Sequence, residues 1–461
     1  MIPKLETLCE NCRTIEWCKE CKRYIYDSGP HICLACRGIT RLLCNECENP
    51  NWLNWSSGNK IVDDFIKECN KPNEILKWIP YNQFSEITYL AKGGFGEIYK
   101  AKWKGDYDVA LKKLYNSRNI TMDFLNEVKN YIHCMESNGT NFETCFLIRF
   151  YGISYDPITQ DFIMVAEYAD NGNLKKCIMK PAEFTYRVVF YDVNLSSNEN
   201  TIYHISRGLN IMHNSGLVHC DLHIGNILLK SVNHPGVDNS DGDLKISISD
   251  FGLCQPANIS SSIKSSGIYG VIPYIAPEIF LGRQYTPASD IYSLGIIIWV
   301  IYSFEEPFNN RNHDATLILD IIRGLRPEIS PKMGIPKYIM DLMEKCWDSD
   351  PKNRPTAQQI ITTLENHKRG PNETFLANSH RKKYSLLKTM NLIDNHPGTC
   401  YTSRFLSFQR VKEHLAKLTL EDSGQNDLSL PTSINDDNIK DFEDKIIALP
   451  TLSNKSPSQI P

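Results

Sequence analysis

No stretch of this 461-residue chain is apolar for long enough to cross a bilayer. The most apolar run, Leu294 to Ile301, falls far short of the ~20 residues a spanning helix needs and reads as a buried helix. The opening Met1-Ile-Pro-Lys-Leu-Glu has no apolar signal core, so no secretory route is expected. Neither sign of charge dominates: 50 Lys and Arg face 54 Asp and Glu, a net charge of −4. That balance argues against a chain-wide surface for nucleic acid or anionic membrane. The expectation is a cytoplasmic protein, with nuclear access left open and no membrane partner.

Beyond Asn49, clustered cysteine is missing as well. Of the 16 cysteines, half are scattered singly over the rest of the chain, and the others form four Cys-x-x-Cys pairs before Asn49. These are Cys9/Cys12, Cys18/Cys21, Cys33/Cys36 and Cys44/Cys47. A disulfide framework does not predict a repeated two-residue gap, whereas two thiolates on a tight knuckle form half of a tetrahedral zinc site. Four knuckles suit two four-cysteine sites, with sequential, interleaved and nested pairings all open. About fifty residues bury too little core to fold alone, so zinc would supply folding energy on the order of 10 kcal/mol per site. Basic and acidic side chains balance within residues 1–50, whereas a nucleic-acid reader carries a basic excess. The region reads as a zinc ribbon that is structural or docks a protein partner, and nucleic acid is not expected.

Residues 51–83 read as a linker with short helices, among them Lys60 to Cys69, punctuated by Pro72 and Pro80. From Phe84 short strand-like runs alternate with glycine turns, and beyond Asn173 the pattern turns helical. Leu217-Val-His-Cys-Asp-Leu-His-Ile-Gly-Asn226 sets a carboxylate and an amide five residues apart, ahead of Asp250-Phe251-Gly252. Phosphoryl transfer calls for that set: one carboxylate orients a hydroxyl, while the amide and second carboxylate hold magnesium on ATP. Upstream, Leu90-Ala91-Lys92-Gly93-Gly94-Phe95-Gly96-Glu97-Ile98 is a glycine hairpin able to approach phosphate, and Val109-Ala-Leu-Lys112 follows. Glu127 stands in the helical pattern Phe124 to Val128. Downstream come Ala276-Pro277-Glu278, Asp290 to Gly295, Cys346-Trp347 and Arg354-Pro355.

The ordered set, from Phe84 to His367, resembles the eukaryotic protein kinase family, and its Cys-Trp and Arg-Pro wording resembles the tyrosine-kinase-like type. The resemblance implies an α+β, bilobal fold: a small antiparallel β lobe with one helix, then a large mainly helical lobe. It implies a kinase domain at 84–368, between the ribbon (1–50), the linker (51–83) and a largely disordered tail (369–461). It implies ATP and Mg2+ as cofactors and protein substrates as partners, with transfer to a protein hydroxyl, Ser or Thr ahead of Tyr and tyrosine left open, in intracellular signalling. Asp221, Lys112, Asn226 and Asp250 would be catalytic, with Asn226 and Asp250 on magnesium and Glu127 pairing with Lys112. Leu90, Ala91, Gly93, Gly94, Phe95, Gly96, Ile98, Ala110, Ala166, Glu167, Ala169 and Leu228 would surround the nucleotide, with Ala166 as gatekeeper. Glu278 and Arg354 would form a buried structural pair.

The chain departs from the family in places. Ala91 stands at the first loop glycine, Cys220 replaces an Arg, His223 a Lys, and Val271 a Thr. Cys220, His223, Val271 and the segment Pro181 to Asn200 support an alternative, an ATP-binding pseudokinase scaffold with a zinc-ribbon docking module. Pro181 to Asn200 fits poorly, because the family has a regular helix there. Ser260 to Ser262, Ser265, Ser266 and Tyr269 fall in the activation segment, the stretch after Asp250. In the tail, Arg404 to Thr419 reads as a possible amphipathic helix.

Overall fold

The computed structural model describes residues 56–69, 76–92, 96–105, 107–114, 122–137, 146–179, 196–231, 244–257, 268–368 and 395–406, plus the backbone of two short N-terminal strands. The chain divides into two compact units, Met1–Asn73 and Glu74–Pro461. In the first, β1 (Glu16–Cys18) pairs antiparallel with β2 (Arg23–Ile25), and α1 spans Lys60–Cys69. Asn59 Oδ1 accepts the Ile61 N–H at the start of α1 (2.9 Å), and Asp63 takes the Ser57 N–H (2.7 Å), satisfying first-turn and preceding donors. The side chains of all eight expected zinc ligands, Cys9, Cys12, Cys18, Cys21, Cys33, Cys36, Cys44 and Cys47, lie outside the described residues. Among the described residues, no group of three or more His, Cys, Asp or Glu side chains is arranged to hold a metal ion.

The second unit opens with β3 (Lys77–Trp78), β4 (Phe84–Lys92), β5 (Gly96–Trp103) and β6 (Tyr107–Leu114). α2 (Met122–Ser137), β7 (Phe150–Asp156) and β8 (Asp161–Glu167) complete the small lobe. Its six strands run in the order β3-β7-β8-β6-β5-β4. Five are antiparallel, as expected, but β3 adds a parallel edge from the stretch assigned to the linker, with Trp78 opposite Ile153. Leu76 and Ile79 are buried beside it, which explains why that stretch belongs to the sheet. Alternation fixes the sheet's two faces: Ala101, Val109, Leu111, Ile163 and Val165 point into one apolar cluster with Phe84. α2 covers the lobe with Leu125, Val128, Ile132 and Met135, a buried stripe at helical spacing.

The large lobe begins with α3 (Leu174–Met179) and α4 (Ser196–Asn214). Pro181 to Asn200 is the stretch that fits the family pattern poorly. α4 in fact starts within it, at Ser196, because Ile202, Ile205, Leu209 and Met212 bury one stripe and tertiary packing overrides the weak propensity of Ser and Asn. Residues 181–195 lie outside the described residues. Next come β9 (Leu217–Val218), β10 (Ile227–Ser231), β11 (Leu244–Ile248), β12 (Gln255–Pro256) and β13 (Ile268–Gly270). The helices α5 (Pro277–Phe280), α6 (Pro287–Ser303), α7 (Ala315–Ile322), α8 (Lys337–Cys346) and α9 (Ala357–Lys368) fill the rest. α6 contains the apolar run, and everything from Ser289 to Ser303 in it is buried. No helix among the described residues is long and apolar enough to cross a membrane.

The tail brings the largest departure. Residues 395–406 are packed rather than disordered, and Arg404–Leu406 forms β14 instead of opening a helix. β14 runs antiparallel to β13, with Ile268 opposite Leu406 and Gly270 opposite Arg404.

Candidate active site

The cleft wall follows from strand alternation. Val109 and Leu111 face the core, so Ala110 and Lys112 face the other way, both half-buried. Ala110 pairs with Ala166 across β6 and β8, and Ile98 pairs with Lys112 across β5 and β6. Leu228, half-buried between buried Ile227 and Leu229, projects from β10. Ile98, Ala110 and Ala166 are small or aliphatic, lie half-open on one face of the six-stranded sheet, and give a slot lining suited to a flat apolar ring. Leu90 and Ala91 are exposed at the end of β4 and Gly96 is buried at the start of β5, whereas Gly93, Gly94 and Phe95 lie outside the described residues. Glu167 closes β8: its N–H donates to Arg149 O (2.7 Å), and its carboxylate takes Lys230 (2.7 Å) and Lys245 (2.9 Å). That carboxylate therefore ties β8 to the β10–β11 hairpin. Ala169 follows, buried.

Three charges meet at the back of this slot. Lys112 Nζ lies 2.7 Å from Glu127 Oε1 and 2.8 Å from Asp250 Oδ1. Burial penalises the ammonium, but the two carboxylates outweigh that penalty and raise its pKa. Asp250 sits in the left-handed region (φ 67), and its Oδ1 also accepts the Gly252 N–H at 3.4 Å. Phe251 packs edge-on against Tyr131 (5.6 Å between centroids) and lies 6.3 Å from the His219 ring. The Tyr131 hydroxyl oxygen accepts the Phe150 N–H at 2.9 Å, fixing the ring over Phe251.

The loop carrying Asp221 is held from below. Asp290 of α6 accepts the His219 N–H (2.8 Å) and Cys220 N–H (3.1 Å), and His213 Nε2 reaches the same carboxylate at 2.9 Å. Cys220 is left-handed (φ 68), a strained conformation that those two bonds impose. Asn226 Nδ2 donates to Asp221 O (2.9 Å), which leaves the amide oxygen to offer a cation. Ser249 binds Asn226 O through both its N–H (2.9 Å) and its hydroxyl (3.0 Å), fixing Asn226 beside the strand that ends in Asp250. An amide oxygen and a carboxylate are hard oxygen donors, the set Mg2+ accepts beside phosphate. Burial pushes the Asp221 carboxyl up to about 8, opposed by a hydrogen bond from Ser403.

His223, which sequence alone marks as a loss, proves to be a working part of this loop. Its Nδ1 accepts the Gly225 N–H (3.0 Å), so Nε2 carries the proton and donates to Ser403 Oγ at 3.1 Å. Burial holds the ring neutral, its pKa pushed down to about 3. Gly225 is required for this approach, since a Cβ there would lie 2.6 Å from His223 Cε1. Ser403 itself, missed in the sequence, donates to Asp221 Oδ2 at 2.6 Å. No local pattern marks it; the β13–β14 pairing and the contacts of its neighbours bring it there. Further out, Arg354 makes a bidentate pair with Glu278 (2.7 and 2.8 Å), both groups buried.

Comparison with known proteins agrees with this geometry. A family model described as the protein kinase domain matches residues 84–364. The chain is 28% identical to a probable serine/threonine-protein kinase of Dictyostelium discoideum, over 65% of this chain and 16% of that protein. It is 27% identical to receptor-interacting serine/threonine-protein kinase 4 of Mus musculus, over 68% of this chain and 38% of that protein. Against mitogen-activated protein kinase kinase kinase 7 of Bos taurus the figures are 26%, 64% and 45%. The chain thus spans less than half the length of these curated relatives. With a matching model over more than half its residues and a sheet lobe joined to a helical one, this chain belongs to the protein kinase domain family.

Proposed function

We propose that the chain transfers the γ-phosphoryl group of Mg-ATP to serine or threonine hydroxyls of proteins, in intracellular signalling. The observation that carries this reading is the Lys112–Glu127–Asp250 cluster facing a loop on which Asp221 already holds a hydroxyl at 2.6 Å. Bound magnesium would neutralise charge on the transferring group, with Asn226 and Asp250 as its protein ligands. Lys112, fixed by Glu127, neutralises phosphate oxygens. Asp221, in its ionised form, orients the hydroxyl and takes its proton. His223 supplies the hydroxyl contact that a Lys provides in other serine/threonine kinases, which removes one argument for a dead enzyme. The similar serine/threonine kinases support the acceptor choice, and their names fit a tyrosine-kinase-like type. A mass-spectrometric map of a generic protein substrate after incubation with Mg-ATP tests it: phosphoserine and phosphothreonine are expected, and phosphotyrosine alone would overturn the choice.

The pairing of Ala110 with Ala166 sets two methyl groups side by side in the slot wall. ATP-competitive inhibitors too bulky for larger gatekeepers should therefore bind, and Ala166→Phe should weaken them ~100-fold by steric overlap. Unchanged inhibition constants would place the adenine slot elsewhere.

The spacing of the N-terminal knuckles, Cys9/Cys12, Cys18/Cys21, Cys33/Cys36 and Cys44/Cys47, supports two structural zinc ions in a ribbon that docks a protein partner. Elemental analysis of the purified full chain is expected to find two zinc per molecule, and zinc-free protein that melts normally would remove the ribbon from this reading.

A further inference from the structure

We propose that residues 395–406 occupy the acceptor-peptide site of their own kinase domain and that Ser403 is a site of intramolecular phosphorylation. The inference rests on the kinase reading and adds to it a named acceptor. Four features place the segment. First, β14 pairs with β13 at Gly270, whose φ of +141 lays its backbone against the catalytic loop, where a Cβ would lie 3.4 Å from Asp221 Oδ1. Second, the paired residue is Arg404, so the neighbouring Ser403 falls on Asp221 Oδ2 at 2.6 Å. Third, His223 Nε2–H donates to the same hydroxyl oxygen, directing its proton at the carboxylate and a lone pair outward.

Fourth, the residues on both sides of Ser403 are anchored by side chains unrelated to catalysis. Tyr401 packs edge-on to His313 (4.7 Å), donates to Pro307 O (3.1 Å) and lies under Lys175 Nζ (5.1 Å). The Cys400 N–H donates to His313 Nδ1 (3.2 Å), and Arg404 Nη2 to His313 O (2.7 Å). Gly398 fits against Asn312, where a Cβ would collide with the amide, and accepts the His313 N–H on its carbonyl (3.1 Å). Phe405 closes the other side on Tyr269 (5.0 Å). A decoy peptide would present no nucleophile at the catalytic carboxylate. This one presents a hydroxyl already in hydrogen-bond reach of the proton acceptor.

In the step, Ser403 Oγ attacks the γ-phosphorus of ATP. The Oγ–P bond forms as the bond from that phosphorus to the β,γ-bridging oxygen breaks, ADP leaves with the electron pair, and the hydroxyl proton passes to Asp221. The product places a phosphate, with a charge near −2, against Asp221 and close to Asp250. Repulsion then expels the segment and opens the site to other substrates. Before that, the tethered segment competes with any external protein at high effective concentration.

The test incubates the full-length chain with Mg-ATP and casein, over a ~100-fold range of kinase concentration, and reads each site by mass spectrometry. Phosphate is expected on Ser403, with a first-order rate constant unchanged by dilution. In the Tyr401→Ala/Phe405→Ala double variant, Ser403 labelling should slow ~10-fold while the initial rate on subsaturating casein rises by a similar factor. Casein phosphorylated while Ser403 stays bare would overturn the inference and leave the kinase reading standing. A Ser403 rate proportional to kinase concentration, or a variant identical to wild type on both acceptors, would overturn it too. Transfer to neither acceptor would remove both readings.

Discussion

Asp250→Ala is expected to lower kcat by ~10^3-fold or more while the protein stays folded. The side chain has two tasks that both end at the phosphoryl group. Its carboxylate is one of two protein groups able to hold magnesium, and its Oδ1 holds Lys112 together with Glu127. Removing it strips charge neutralisation from the transition state, where the largest electrostatic contribution lies. The fold should tolerate the change, because the cluster then holds one cation and one carboxylate and no buried charge is stranded. Lys112→Met makes the contrast: it leaves Glu127 and Asp250 facing each other without a cation, so it should cost stability as well as turnover. A phosphotransfer assay beside a thermal melt separates the two effects. Turnover in Asp250→Ala within 10-fold of wild type would contradict the assigned role.

Arg354→Met should destabilise the catalytic domain by about 3–5 kcal/mol, the usual cost of leaving a buried carboxylate without its partner. The guanidinium is fully enclosed, with 0% of the side chain exposed, and it does more than pair with Glu278. It also donates to Ala288 O and Asp348 O, each at 2.9 Å, joining the start of α6, the end of α8 and the α5 segment through one side chain. The Glu278→Leu/Arg354→Met double variant should recover part of the loss, since it strands no charge. Denaturant unfolding of the three proteins reads both effects. A single variant that loses less than ~1 kcal/mol would mean that the pair is solvated in solution.

The lobes and the polar cluster could be read from the chain because chemistry pins those residue types at fixed spacings. A lysine on a short strand-like run, a helical glutamate fifteen residues on and an Asp-Phe-Gly turn stand in the order that resembles the protein kinase family, and that resemblance implies the lobes. The positions that escaped reading depend on contacts distant in sequence. Lys77–Trp78 is too short to alternate, and only its place beside β7 makes it a strand. Ser196 to Asn200 has the composition of a loop, and the buried stripe that follows carries it into α4. Arg404–Leu406 has no period of its own, so its strand is decided by the edge that β13 offers. His223 looked like a lost lysine because a sequence shows which residue is present, not which hydroxyl it meets.

The central claim is that Lys112, Glu127, Asp221, Asn226 and Asp250 serve one magnesium nucleotide. A crystal structure of the full chain with Mg2+ and a non-hydrolysable ATP analogue addresses it directly. The expected density shows adenine between Ile98, Ala110 and Leu228, Lys112 hydrogen-bonded to phosphate oxygens, and metal touching both Asn226 and Asp250. A nucleotide bound in that slot with its metal away from both residues, or no binding at saturating analogue, would contradict it.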